Sequence, residues 1–338
     1  MADGGEGTVD AFLDLPSWRA RTVHVRGPLG DPVLAMFAFD GVRAVVEMAA
    51  ASGLALVPSE RRDVRRASTF GTGEVLRAAL DAGAREVVVA VGGSATNDGG
   101  AGLLAALGIR FLDATGAAVQ PGGAALAQLA RIDRSQVDPR LANVTIAVAA
   151  DVDHPLTGER GASVVFGPQK GATVADVRDL DAALAHFADV AAATLGHDLR
   201  DRPGAGAAGG LAFGLAAFAN ARIVPGVRLV AELRGLHAAL GDAALCFTGE
   251  GSIDAQTLGG KTVAGVAALA REAGVPCVAF GGRVEAAVEA ALAALGTIVV
   301  PIADGPRALA SALAGGAVLL ERASARAFRL ANVRGPRD

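Results

Sequence analysis

The sequence predicts an α/β fold in two domains, one Rossmann-like with a largely parallel sheet and the other a mixed α/β domain. Two observations carry that expectation. Short, continuous apolar runs such as VVVAV at Val87–Val91 have the composition of strands buried on both faces, as in parallel sheets. Stretches of helical periodicity alternate with them, the sequence signature of βαβ units. The 338 residues also exceed one ordinary domain and suit two.

Taken in order, the elements begin with strands at Thr22–Val25, Val33–Phe39 and Ala44–Met48, joined by GPLGDP and DG, both turn chemistry. From Thr69 the texture changes. Glu74–Ala82 is a short helix, Val87–Val91 a buried strand, Leu103–Leu107 a helix behind a Gly-rich turn, and Val144–Ala149 another buried strand. Residues 174–195 are the clearest helix, with Val177, Leu180, Leu184, Phe187 and Ala191 on one face and acids with Arg178 on the other. Polar Asp198–Pro203 reads as a hinge or linker. A second alternating block follows: strand Ala244–Thr248, helix Val263–Ala273, strand Pro276–Phe280, helix Val284–Leu295, strand Ile298–Ile302, then C-terminal helices.

Composition excludes several classes of function. There is no Tyr and one Trp, Trp18, so single strands of nucleic acid would find few rings to stack on. The net charge of −4, with no long basic run, argues against a phosphate-backbone partner. No apolar stretch free of Gly and charge reaches the length of a membrane span, and MADGGEGTVD is unlike a signal peptide. A cytoplasmic protein with no nucleic-acid or membrane partner is expected. Cys246 and Cys277 sit in the apolar runs ALCFT and PCVAF and read as small buried hydrophobes.

Ligands of open parallel sheets lie beyond the carboxyl ends of the strands, and three such ends carry dense polar turns. After VVVAV comes GGSATNDGGAG, with Gly92, Gly93, Ser94, Thr96, Asn97 and Asp98. Its glycines admit backbone amides to an anion, its hydroxyls donate, and Asn97 and Asp98 carry oxygens of the kind Mg²⁺ accepts. A capped strand-to-helix turn would account for one acid but not for this density. After VTIAVA comes DVDHPLTG, where Asp151 and Asp153 suit a divalent cation or a proton acceptor, against the alternative of a turn with solvated acids. His154 reads as structural.

After ALCFT comes GEGSIDAQTLGGKT, which holds Gly249, Glu250, Gly251, Asp254, Gln256, Thr257, Gly260 and Lys261. Lys261 opens an amphipathic helix, a ready phosphate site, and Glu250 and Asp254 can hold metal, act as base or cap that helix. Ala255 stands where a Walker A motif requires Gly, so a P-loop is not supported. FGPQKGA presents Lys170 as an anion clamp or as part of a surface turn. GAGAAG at Gly204–Gly209 matches the dinucleotide fingerprint but follows HDLRDRP, which is no strand. An NAD(P)-dependent oxidoreductase of a small hydroxy acid is therefore the weaker alternative.

At these residues the chain resembles the bacterial type I glycerate kinase family. ADGGEGT (Ala2–Thr8), EMAAASGLALV, GTGE, GGSATNDGGAG, D-x-D-x-PLTG, FGPQKGA, GAGAAGG and TGEG-x-x-D-x-QT-x-x-GK follow the family's order almost to the C-terminus. The resemblance implies ATP-dependent phosphorylation of D-glycerate with Mg²⁺. Residues 1–15 and 200–338 are expected to form the Rossmann-like domain and residues 16–199 an inserted domain; a homo-oligomer is possible. Asp254, Asp98 and Lys261 are the catalytic candidates, with base and metal roles unordered between the two acids. Asp98, Asp151, Asp153, Glu250 and Asp254 are the metal candidates, and the glycines and hydroxyls of the turns, Gln256 and Lys170 bind phosphate or substrate. The family usually places a strand and a PDSFKGS-like loop before ADGGEGT, which Met1 abuts here. A start codon assigned too late is the favoured explanation over a truncation that would leave an impaired glycerate-binding protein. His154, Ser252 and Thr262 stand where Asn, Arg and Pro are common, and Ser252 puts an Arg contact to phosphate in doubt.

Overall fold

The computed structural model describes residues 5, 7–255, 257–259, 262–306 and 308–332, and the chain divides into two compact units at Gly226/Val227. The larger unit opens with α1 (Thr8–Leu13), β1 (Arg19–Arg26), β2 (Pro32–Phe39), β3 (Arg43–Glu47) and α2 (Ala49–Ser52). It continues through α3 (Phe70–Asp81), β4 (Glu86–Ala90), α4 (Ala101–Ala106), β5 (Arg110–Leu112), β6 (Arg131–Asp133) and β7 (Thr145–Ala149). It ends with α5 (Ala162–Phe166), α6 (Val174–Leu195), α7 (Ala207–Ala219) and β8 (Arg222–Val224).

Its main sheet has the order β1-β2-β3-β4-β7-β8. The first three strands pair antiparallel and the last four parallel. Connection length decides which: the turns after β1 and β2 are short enough for hairpins, whereas β3 to β4 and β4 to β7 cross over through helices. All of Val87–Ala90 is buried, which explains the unbroken apolar run of β4. β5 and β6 form a separate hairpin. α6 begins in a capping box, Thr173 and Asp176 each satisfying the other's backbone amide, and buries Leu180, Leu184, Phe187 and Ala191.

The smaller unit contains α8 (Gly226–Leu233), α9 (Leu236–Gly241), β9 (Cys246–Ile253), α10 (Thr262–Glu272) and β10 (Cys277–Val284). It closes with α11 (Ala286–Ala294), β11 (Thr297–Pro301), α12 (Leu309–Ala314) and α13 (Gly316–Ala331). Its three strands are parallel in the order β11-β10-β9, a Rossmann-like arrangement with the core packed under α10 and α11. Cys246 and Cys277 are buried and face each other in register on β9 and β10.

Two differences from the expected layout have physical causes. The strand after ALCF does not stop at Thr248: it continues through Gly249-Glu250-Gly251 to Ile253, because Gly249, Glu250 and Ser252 pair with Phe280, Gly281 and Arg283 of β10. Asp198–Pro203 is not a free linker, since Arg200 pairs with Asp189 and Asp198 and its carbonyl accepts Leu156 N at 2.8 Å. Beyond it, β8 pairs with β7, and α1 packs on β2 and β3. Residues 200–226 and the described part of 1–15 thus pack within the larger unit, where the sequence places them with the Rossmann-like domain.

Candidate active site

Within the larger unit, the turns after β4 and β7 come together. With the start of α7 they enclose a cavity of about 240 Å³ lined by Gly92, Gly93, Ser94, Asp151, Gln169 and Ala208, among others. Gly5 of the ADGGEGT segment closes one wall. A Cβ on Gly92 would lie 2.7 Å from Gly5 Cα, so only glycine allows the two segments to meet. Ala208 (φ 52°, ψ 43°) begins a left-handed stretch continued by Gly209 and Gly210. Such a conformation is costly for a residue with a Cβ and collects at functional sites.

Behind the cavity wall the same turn is anchored in the interior. Asp98 is fully buried. Its carboxylate accepts Thr69 N at 2.8 Å, Thr69 Oγ1 at 2.9 Å, Gly100 N at 3.2 Å and Gly102 N at 3.3 Å. Burial pushes its pKa above the usual carboxylate value, against the pull of these donors. Lys170 is not a surface clamp: it is 2% exposed and its Nζ donates to Thr96 O at 2.6 Å. Burial draws its ammonium down to about 7, with the Asp98 charge acting in the opposite direction. Asn97 Nδ2 donates to Ser163 Oγ at 2.9 Å, while Thr96 Oγ1 and Asn97 Oδ1 are buried without a partner.

The Asp151/Asp153 pair is divided. Asp151 lines the cavity and its Oδ1 accepts Gly226 N at 2.8 Å. Asp153 points to solvent and pairs with Arg160 at 3.0 Å. His154 is structural, its Nδ1 2.9 Å from Arg160 O and its ring edge-on to Phe166.

In the smaller unit, β9 delivers a second polar group. Glu250 Oε1 accepts Val263 N at 3.0 Å and so caps the N-terminus of α10, where a negative charge is favoured. Ser252 Oγ donates to Asp254 Oδ2 at 3.1 Å, and Asp254 N to the buried Thr257 Oγ1 at 3.1 Å. Two carboxylates and two hydroxyls make a hard-oxygen donor set, which fits Mg²⁺ held through one or two carboxylates and a substrate's phosphates. Among the described residues no group of three or more His, Cys, Asp or Glu forms an all-protein cage. Gly249, Glu250 and Gly251 also line a groove of about 770 Å³ against Phe247, Phe280 and Leu313. Gln256, Gly260 and Lys261 lie outside the described residues.

The expected residues thus fall into three sets. Gly92, Gly93, Ser94 and Asp151 share the cavity; Thr96, Asn97, Asp98 and Lys170 support it from inside; Gly249, Glu250, Gly251, Asp254 and Thr257 gather at the end of β9. Sequence reasoning missed Thr69, Ser163, Gln169 and Ala208. Thr69 stands beside the GTGE motif, and Gln169 beside Lys170, but nothing local says what either faces.

Turns rich in glycine, hydroxyls and acids at the carboxyl ends of parallel strands mark the ligand-binding edge of an α/β enzyme. Residues 1–332 match the glycerate kinase family. The chain is 51% identical over 292 residues to glycerate kinase of Halalkalibacterium halodurans, covering 86% of this chain and 77% of that one. It is 52% identical over 287 residues to glycerate kinase of Bacillus subtilis (84% and 75%) and 46% identical over 284 residues to glycerate 2-kinase of Escherichia coli K12 (83% and 74%). The crystal structure assigned as glycerate kinase 2 of Salmonella typhimurium LT2 superposes with a TM-score of 0.79 at 44% identity, covering 88% of this chain and 83% of that one. The chain belongs to the glycerate kinase family. No helix among its described residues is long and apolar enough to cross a membrane.

Proposed function

We propose that this kinase transfers the γ-phosphoryl group of ATP to a hydroxyl of D-glycerate; the name of the Escherichia coli relative favours the 2-hydroxyl. The observation that carries the reading is the polar group at the end of β9, where Glu250, Ser252, Asp254 and Thr257 surround the entry to α10. Phosphoryl transfer needs alignment and charge neutralisation more than covalent help. A helix start followed by oxygen donors suits a nucleotide's phosphates, and the adjoining groove has the size of a site for a nucleotide-sized ligand. Glu250 and Asp254 would hold Mg²⁺, which when bound neutralises charge on the β- and γ-oxygens. Gln256, Gly260 and Lys261, neighbours of these residues in the sequence, are the further phosphate-binding candidates. Asp98 is spent on anchoring its turn, which leaves the base role to an acid that faces a cavity.

The test is acceptor-dependent release of ADP by the wild-type chain and by Lys261→Ala. Wild type should release ADP only when D-glycerate is present, and the variant should lose about 100-fold in kcat with an unchanged melting temperature, the scale of removing one fixed charge from the transferring group. Wild-type turnover in Lys261→Ala would refute the phosphate role of that lysine.

A further inference from the structure

We infer that Cys246 and Cys277 are a redox-modification site, which hydrogen peroxide converts to a reversible disulfide between β9 and β10. The inference does not depend on the kinase reading. Register brings the two sulfurs together. Cys246 opens β9 and Cys277 opens β10, and the two residues are partners in the parallel pairing of these strands. In-register neighbours point to the same face of a sheet, and both cysteines belong to the core under α10 and α11. Neighbouring strands run about 4.8 Å apart, inside the roughly 4.4–6.8 Å between the Cα atoms of bridged cysteines. Cβ atoms at that spacing must close to about 3.8 Å before a bridge forms. Such a bridge is strained, and strained disulfides are the ones that reductants reopen easily.

The two thiols differ in a way that suits this chemistry. The Cys277 thiol donates a hydrogen bond to the Cys246 sulfur, which holds Cys246 below the ordinary thiol value although burial opposes it. The same bond, burial and the charge on Cys246 push Cys277 up. Cys246 is thus the nucleophile and Cys277 the partner that keeps its proton. Access favours the same order. Among the described residues β9 is an outer strand of its sheet. Cys246 is 8% exposed against 3% for Cys277, and its neighbours Ala244 and Phe247 are exposed.

In the step, the Cys246 thiolate attacks one peroxide oxygen and the O–O bond breaks. Cys246 becomes a sulfenic acid, and the other oxygen leaves as water with the proton that Cys246 gave up. The Cys277 sulfur then attacks the Cys246 sulfur and the S–O bond breaks. That oxygen leaves with the Cys277 proton as a second water. Two thiols and one peroxide give one disulfide and two waters: the sulfurs lose two electrons and the peroxide oxygens gain them.

The test uses the full chain, whose only cysteines these are. The chain is reduced, freed of reductant and exposed to hydrogen peroxide, and the remaining thiols are alkylated after unfolding and counted by intact mass. Wild type should lose both thiols together, its mass falling by two hydrogens. It should migrate as a single chain without reductant and regain both thiols in dithiothreitol. Cys277→Ser should stop at the sulfenic acid, captured by dimedone on Cys246. In Cys246→Ser the remaining thiol should react about 10-fold more slowly than the wild-type pair, since thiolate is the reacting form. Two free thiols in wild type at peroxide levels that consume glutathione would overturn the inference. So would sulfinic or sulfonic acids without the bridge, or a bridge between two chains. Should either variant melt far below wild type, the wild-type thiol count and its reversal decide alone.

Discussion

Lys170 and Asp98 lie together under the Gly92–Gly102 turn, and burial pushes each towards its neutral form. The lysine's effect on stability has a definite sign. In the folded chain its ammonium titrates near 7 and in the unfolded chain at 10.5. Between those values the unfolded chain binds the extra proton, so stability rises with pH. As pH drops from 10.5 towards 7 that stability is lost, and below about 7, where both states carry the proton, the loss levels off. Thermal melting of wild type and Lys170→Met at pH 7 and pH 9.5 should show wild type gaining relative to the variant at the higher pH; parallel shifts would contradict the buried charge. Residue chemistry was only partly legible. The density of glycine, hydroxyl and acid singled out the turns, yet it could not divide lining from support. Asp98 is bonded to Thr69, 29 positions away, and Lys170 sits in Gly/Pro surroundings that look like a surface turn.

At the scale of elements, periodicity and capping were sufficient where the segment decides its own fate. α6 is the clear case, its capping box and apolar face both written locally. β9 is the opposite case: Gly249 and Gly251 weaken strand propensity, and only pairing with β10 keeps them extended. The GAGAAGG segment likewise depends on its neighbours, because its left-handed stretch packs on the turn after β4. A Cβ on Gly209, at φ 66°, would lie 2.1 Å from Thr96 O. Gly209→Ala should therefore cost about 3 kcal/mol or more through overpacking and backbone strain together. Gly196→Ala, at φ 80° with open space around it, should cost about 1 kcal/mol through backbone strain alone. Melting curves of the two variants check this, and equal losses would contradict the packing role given to Gly209.

Over the whole molecule, the alternation of apolar runs with helices disclosed an α/β chain with parallel strands, and GPLGDP disclosed the turn between the first two strands, whose antiparallel pairing the structure adds. The division between units was harder to see. Asp198–Pro203 has the polarity of a linker, but the ion pairs of Arg200 and the pairing of β8 with β7 bind residues 200–226 to the larger unit. Composition cannot reveal that, since Asp189 lies on α6 and the partner of β8 is the distant strand β7. The account as a whole stands on phosphoryl transfer to a small hydroxy acid. Phosphorus NMR of the full chain with ATP, Mg²⁺ and D-glycerate follows that reaction directly. A phosphoglycerate resonance growing in step with ADP is the predicted result. ATP left unchanged, or inorganic phosphate as the sole new product, would contradict it.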